Sequence, residues 1–150
     1  MVGFLKANSG KKGEGMPVVR NPQFYFKEGF CWTDVNSTYL KARIKKSGVF
    51  DVLSMSLFTQ IYIPDWYFVC VINSRLISFY VDNFINNTSH FQINDARQLP
   101  IIIPTKEELL ALGTLFNSAV RAKQKQESEN KLTEIQVNLD YMIEKLYRIV

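Results

Sequence analysis

The sequence is poor in the residues that do chemistry. It has one histidine, His90, and two cysteines, Cys31 and Cys70, in 150 residues. No Cys/His cluster with zinc-ligand spacing can be drawn from them. Each cysteine sits inside an apolar run, so the pair reads as two buried free thiols of a cytosolic protein, with one disulfide as the alternative. There is no Walker A loop, no G-x-S-x-G and no H-E-x-x-H. Pro64-Asp65 could open a nuclease pattern, but no E-x-K follows it nearby. No apolar run approaches the length of a membrane span, and the opening run of residues 1–5 is too short for a signal peptide. Without export, the N-x-[ST] triplets at Asn36, Asn86 and Asn87 are chance matches. These absences set the expectations: no catalytic residues, no metal and no cofactor in this chain, a cytoplasmic location and no membrane.

What the chain has is bulk. Hydrophobic residues make up 47%, with 11 Phe and 7 Tyr, which is enough for a large core in one domain with an appended helix. The net charge of +4 permits a polyanionic partner without requiring one.

Residues 1–19 hold a Gly/Lys-rich stretch that reads as a linker, as at the edge of a piece of something longer. Residues 23–32 are aromatic-rich and predict a strand, with Lys27, Glu28 and Gly29 as a hairpin turn. Residues 38–46 alternate strictly: Tyr39, Lys41, Arg43 and Lys45 on one side, Leu40, Ala42 and Ile44 on the other. That is a half-buried strand with a basic face, closed by a Ser47-Gly48 turn. Residues 49–53 and 57–63 are further strand candidates. A proline followed by an acid at Pro64-Asp65 predicts a helix start, against the β-branched content of residues 64–73. Residues 75–85 predict a helix with Leu76, Phe79, Tyr80, Asn83 and Phe84 near one face, ended by Asn86-Asn87.

Residues 90–93 predict a short strand, 95–98 a polar turn, and 100–104 a buried strand bracketed by prolines. Thr105 and Glu108 form the sequence signature of a capping box at the start of an amphipathic helix. The last segment carries a seam: Leu132, Ile135, Leu139, Met142, Leu146 and Ile149 are spaced alternately by three and four. The polar residues 127–131 either continue the preceding helix or hinge it. The preceding helix already has a sheet to cover, so the seam is expected to close against a second copy as a homodimer. Closure within the chain against Leu109, Leu112, Phe116 and Val120 is the alternative.

Two patterns bear on nucleic acid. Asn21-Pro22-Gln23-Phe24 is comparable with the N-P-P-[FY] motif of amino-methyltransferases, but the second proline is missing and no Gly-rich cofactor turn is present. The plainer reading is an Asn-Pro turn before a strand. The basic strand supplies candidate phosphate contacts in Lys41, Arg43, Lys45 and Lys46, with Arg20 and Lys27 nearby in sequence. Asn36, Ser37, Thr38, Arg75, His90, Gln92 and Arg97 are candidates for base edges. A solvated charged face is the plain alternative for all of them.

Three stretches resemble one family. Phe24 to Thr33 (F-Y-F-K-E-G-F-C-W-T) resembles the opening of the target-recognition domain of Type IIG restriction-methyltransferases, which is related to Type I specificity subunits. Val71 to Leu76 (V-I-N-S-R-L) resembles a later segment of such domains, and Phe91 to Pro104 resembles their exit. All three occur in the family's order, over residues 20–124, with Gly29, Trp32, Asn73, Arg97 and Pro100 at framework positions. The resemblance implies an α+β fold: a small mixed or antiparallel sheet in a recognition domain over 20–104, then a helical spacer over 105–150 ending in a coiled-coil-like helix. It implies sequence-specific recognition of double-stranded DNA, with no catalysis by this chain alone. The partner is then a methyltransferase or nuclease module, and S-adenosylmethionine belongs to that absent module. Two other readings stand beside it: a coiled-coil protein-interaction module, and a truncated methyltransferase.

Overall fold

The computed structural model describes residues 22–35, 39–48 and 54–150. It is an α+β fold. A three-stranded antiparallel sheet is built from β1 (Gly29–Thr33), β2 (Ala42–Lys45) and β3 (Ser54–Leu57), in the order β2-β1-β3. The helices are α1 (Asp65–Ile72), α2 (Arg75–Tyr80) with a π-helical extension (Val81–Ile85), α3 (Ile93–Ala96), α4 (Lys106–Gln124) and α5 (Glu129–Leu146).

β1 is central, and Gly29, Phe30, Cys31 and Trp32 are all buried. Trp32 lies opposite Ala42 on one side and Met55 on the other. Gly29 is in this strand and not in a turn: a Cβ there would lie 2.6 Å from the Leu57 carbonyl oxygen. The turn falls earlier, after a short 3-10 helix at Pro22–Phe24, where Phe26 takes the left-handed conformation. Gly48 has φ +145°, as the expected Ser47-Gly48 turn requires.

α1 forms despite its β-branched residues. Pro64 sits at its N-cap with φ −69°, Asp65 lies in the first turn, and burial of Tyr67, Val69, Cys70, Val71 and Ile72 overrides local propensity. Asn73 ends it. Ser74 then caps α2, its hydroxyl accepting from the Ile77 amide. α2 turns a different stripe inward from the one expected: Ile77, Ser78 and Val81 are buried, while Phe79 is 59% and Phe84 69% exposed. The Leu40 amide, just before β2, donates to Ser78 Oγ at 3.1 Å, so the edge of β2 selects that stripe.

Other expectations are also corrected. The region of residues 90–93 is a single antiparallel bridge, Val35 to His90, and Ile93 already opens α3. Residues 100–104 form no strand, and Ile103 is 66% exposed. Two tyrosines hold this segment: Tyr67 donates to the Ile102 carbonyl at 2.6 Å and Tyr147 to that of Pro100 at 2.5 Å. β3 ends at Leu57, and Ile61 and Tyr62 are exposed beyond it. Residues 49–53 lie outside the described residues.

Thr105 and Glu108 make the capping box: Thr105 Oγ1 accepts from the Glu108 amide at 3.2 Å, and Glu108 Oε2 from the Thr105 amide at 2.7 Å. α4 stops at a left-handed Gln126, and α5 begins after Ser128 and packs on α4. Half of the seam is buried within the chain. Ile135, Leu139, Ile143 and Leu146 are buried and Ile149 lies exposed past the helix end. Leu112, Leu139, Ile143 and Leu146 join the same core as Phe30, Trp32 and Tyr67. Of the six seam side chains expected to pair with a second copy, Ile135, Leu139 and Leu146 are therefore packed within the chain, and Leu132 and Met142 are half-buried. Among the described residues no single helix is long and apolar enough to cross a membrane.

Candidate nucleic-acid interface

The framework of the candidate interface is made where three distant stretches meet. Trp32 Nε1 donates to the Phe91 carbonyl at 2.8 Å, and the two rings stand 5.7 Å apart. Trp32 is opposite Ala42, and the Asn73 side chain brackets Ala42 from the outer edge of β2. Its Oδ1 accepts from the Ala42 amide at 2.6 Å and its Nδ2 donates to the Ala42 carbonyl at 3.0 Å. One side-chain amide thus satisfies an edge-strand donor and acceptor together, which closes that part of the edge to another strand.

The basic face of β2 is smaller than the alternation implies. Lys41, Arg43 and Lys46 are exposed. Lys45 is not: only 9% exposed, it donates to the Gly48 carbonyl at 3.3 Å and lies 4.9 Å above the Phe58 ring. Its long stem folds back because Phe58 offers an aromatic face at the end of β3. Lys45 is therefore packed into the fold and does not share the exposure of Lys41, Arg43 and Lys46. Lys27 is exposed, with Nζ 5.3 Å from the Phe24 ring centre. Arg20, Asn36, Ser37 and Thr38 lie outside the described residues.

The remaining polar candidates fall in two places. Arg75 begins α2 and is held to α5: its guanidinium pairs with Glu144 at 2.7 Å and its amide donates to Asp140 Oδ1 at 2.8 Å. The hydrogen bond to Glu144 raises its already high pKa, with the nearby charges of Glu144 and Asp140 adding to it. Arg75 is thus a clamp between helices. His90, Gln92 and Arg97 come together on the bridge-and-helix segment beyond β1. His90 Nδ1 lies 2.9 Å from Asp34 Oδ2. The Gln92 amide donates to Asp95 Oδ2 at 2.8 Å, which starts α3. Arg97 is exposed and donates to Asn94 Oδ1 at 3.2 Å. Asp34 is the residue that sequence reading missed. No spacing links positions 34 and 90, and only the Val35–His90 bridge brings them into register.

Groups with perturbed protonation lie elsewhere. Burial pushes the Cys70 thiol up to about 12, which suppresses the thiolate. Cys31 and Cys70 are both free and buried. An apolar cavity of about 440 Å³ between α1, α4 and α5 includes Cys70, Phe116 and Leu139 in its lining, with Lys123 as its one charged residue. Among the described residues no group of three His, Cys, Asp or Glu is placed to hold a metal. Phe24, the aromatic of the N-P-Q-F stretch, is stacked on Phe58 at 4.9 Å. No protein-family model matches the chain, and no curated protein is significantly similar to it.

Proposed function

We propose that this chain is a double-stranded DNA recognition domain of a restriction-modification methyltransferase, acting in the cytoplasm and itself non-catalytic. The observation that carries the reading is the convergence of its three family-like stretches. Trp32 from the first, Asn73 from the second and Phe91 from the third are joined through Ala42 and three hydrogen bonds. The scaffold leaves Lys41, Arg43 and Lys46 exposed along one edge strand, and His90 and Arg97 exposed at the far end of β1. On this reading Lys27, Lys41, Arg43 and Lys46 hold phosphates, and the segment of residues 90–97 approaches base edges. A separate methyltransferase or nuclease module is the protein partner, and it supplies the S-adenosylmethionine site.

The test is duplex binding by fluorescence anisotropy over a salt series. We expect affinity to fall steeply as salt rises, because cation-phosphate contacts release counterions. Absence of binding, or binding indifferent to salt, rejects the proposal.

A further inference from the structure

The geometry points to Asp34 as a positioning residue that sets which base edges His90 reads; this rests on the DNA-binding reading above. His90 is held unusually firmly for an exposed side chain. Its backbone bridges to Val35, and its neighbour Phe91 donates its amide to the Asp34 carbonyl at 2.8 Å. The His90 carbonyl accepts from Asn86 Nδ2 at 2.8 Å, and the His90 amide donates to Thr88 Oγ1 at 3.3 Å. The ring is then fixed by Asp34 Oδ2 at 2.9 Å; the Asp34 side chain is 12% exposed, whereas that of His90 is 55% exposed. An ionised carboxylate only accepts hydrogen bonds, so whenever the ring carries a single proton beside it, that proton sits on Nδ1. Nε2, across the ring from Asp34, is then an acceptor.

That assignment has a consequence for recognition. In the major groove only adenine N6 and cytosine N4 offer donors, while guanine and thymine offer acceptors. An outward acceptor therefore selects adenine or cytosine on the contacted strand. Without Asp34, the proton is free to move to Nε2, and the same ring would suit guanine or thymine. A fixed ring also loses less freedom on binding.

The chain has one histidine, so its ring nitrogens are read without ambiguity by 15N NMR. The Nδ1–H form is expected in the wild type, and the Nε2–H form in Asp34→Ala. Asp34→Asn can turn its amide NH2 to donate to Nδ1, and should likewise move the ring proton to Nε2; it serves if Asp34→Ala fails to fold. In parallel, the full chain selects sites from a random duplex library. At one position, adenine or cytosine should be preferred by about 5-fold, the low end of the range for a bidentate base contact, since Nε2 makes a single bond. His90→Ala should lose that preference alone, and Asp34→Ala and Asp34→Asn should lose or invert it. A wild-type ring protonated on Nε2, or a His90→Ala protein that selects the unchanged site, overturns the inference and leaves the DNA reading standing. A wild-type chain that selects no sequence overturns the sequence-specific reading itself, and this inference with it.

Discussion

Trp32 has no exposed surface, packs with Phe30 and Phe91, and uses its one polar atom on the Phe91 carbonyl. Truncating it removes a large buried ring and leaves that carbonyl without its indole donor. Trp32→Ala should therefore lower stability by ~3–5 kcal/mol in urea unfolding. An unchanged unfolding midpoint combined with lost DNA binding would recast it as a contact residue. Trp32 and Lys45 teach opposite lessons. The indole is buried, as its apolar neighbours Phe30 and Cys31 imply. Lys45 sits at an outward position of an alternating strand, yet folds over Phe58. Alternation sets the direction of a Cβ, but not where a four-carbon stem ends.

At the scale of the element, β2 should separate affinity from stability. Lys41→Ala combined with Arg43→Ala should weaken binding to all duplexes alike, and reduce the slope of log affinity against log salt by roughly two, since each phosphate contact contributes roughly one. Lys45→Ala should leave the slope unchanged and lower the melting temperature. A double variant that prefers a different sequence would contradict the phosphate role. α5 carries the second test. Leu139→Glu combined with Leu146→Glu puts two carboxylates into the shared core. The expected outcome is an unfolded chain by circular dichroism, since losing each buried Leu already costs ~2–5 kcal/mol. A wild-type dimer that becomes a folded monomer would show that the seam serves a partner instead.

For the whole molecule, two tyrosines tie the helical hairpin and α1 to the segment of residues 100–104, and both are buried enough to matter at high pH. Burial pushes the Tyr147 hydroxyl from its ordinary 10.0 up to about 12. Tyr67 is raised too, first by burial and then by Tyr147 and other nearby groups. The unfolded chain then releases these protons before the folded one. The stabilisation is complete below pH 10 and is lost as pH rises through about 12. Melting temperature should fall from about pH 10 upward, and less steeply in Tyr147→Phe. An equally steep fall in that variant would remove Tyr147 from the account. These ties, with the shared core, join the sheet and α1 to α4 and α5 through one packed interior.

The elements legible in the sequence are those specified by neighbours a few residues apart. The Thr105–Glu108 capping box, the helix opening at Pro64-Asp65, the turn at Gly48 and the seam of α5 all follow from local backbone geometry. The missing pieces are those decided by residues far along the chain. Ile143, fully buried, lies beside the stated seam because α5 meets a core and not a single partner helix. Residues 75–85 contain two apolar stripes, and the bond from Leu40 to Ser78 chooses between them. Residues 100–104 are apolar enough for a strand, but two tyrosine hydroxyls satisfy backbone carbonyls there in the absence of a ladder. Asp34 meets His90 across 56 residues through one bridge. Periodicity fixes how a helix or strand presents its side chains; which side is buried, and which charges meet, depends on partners that only tertiary packing brings together.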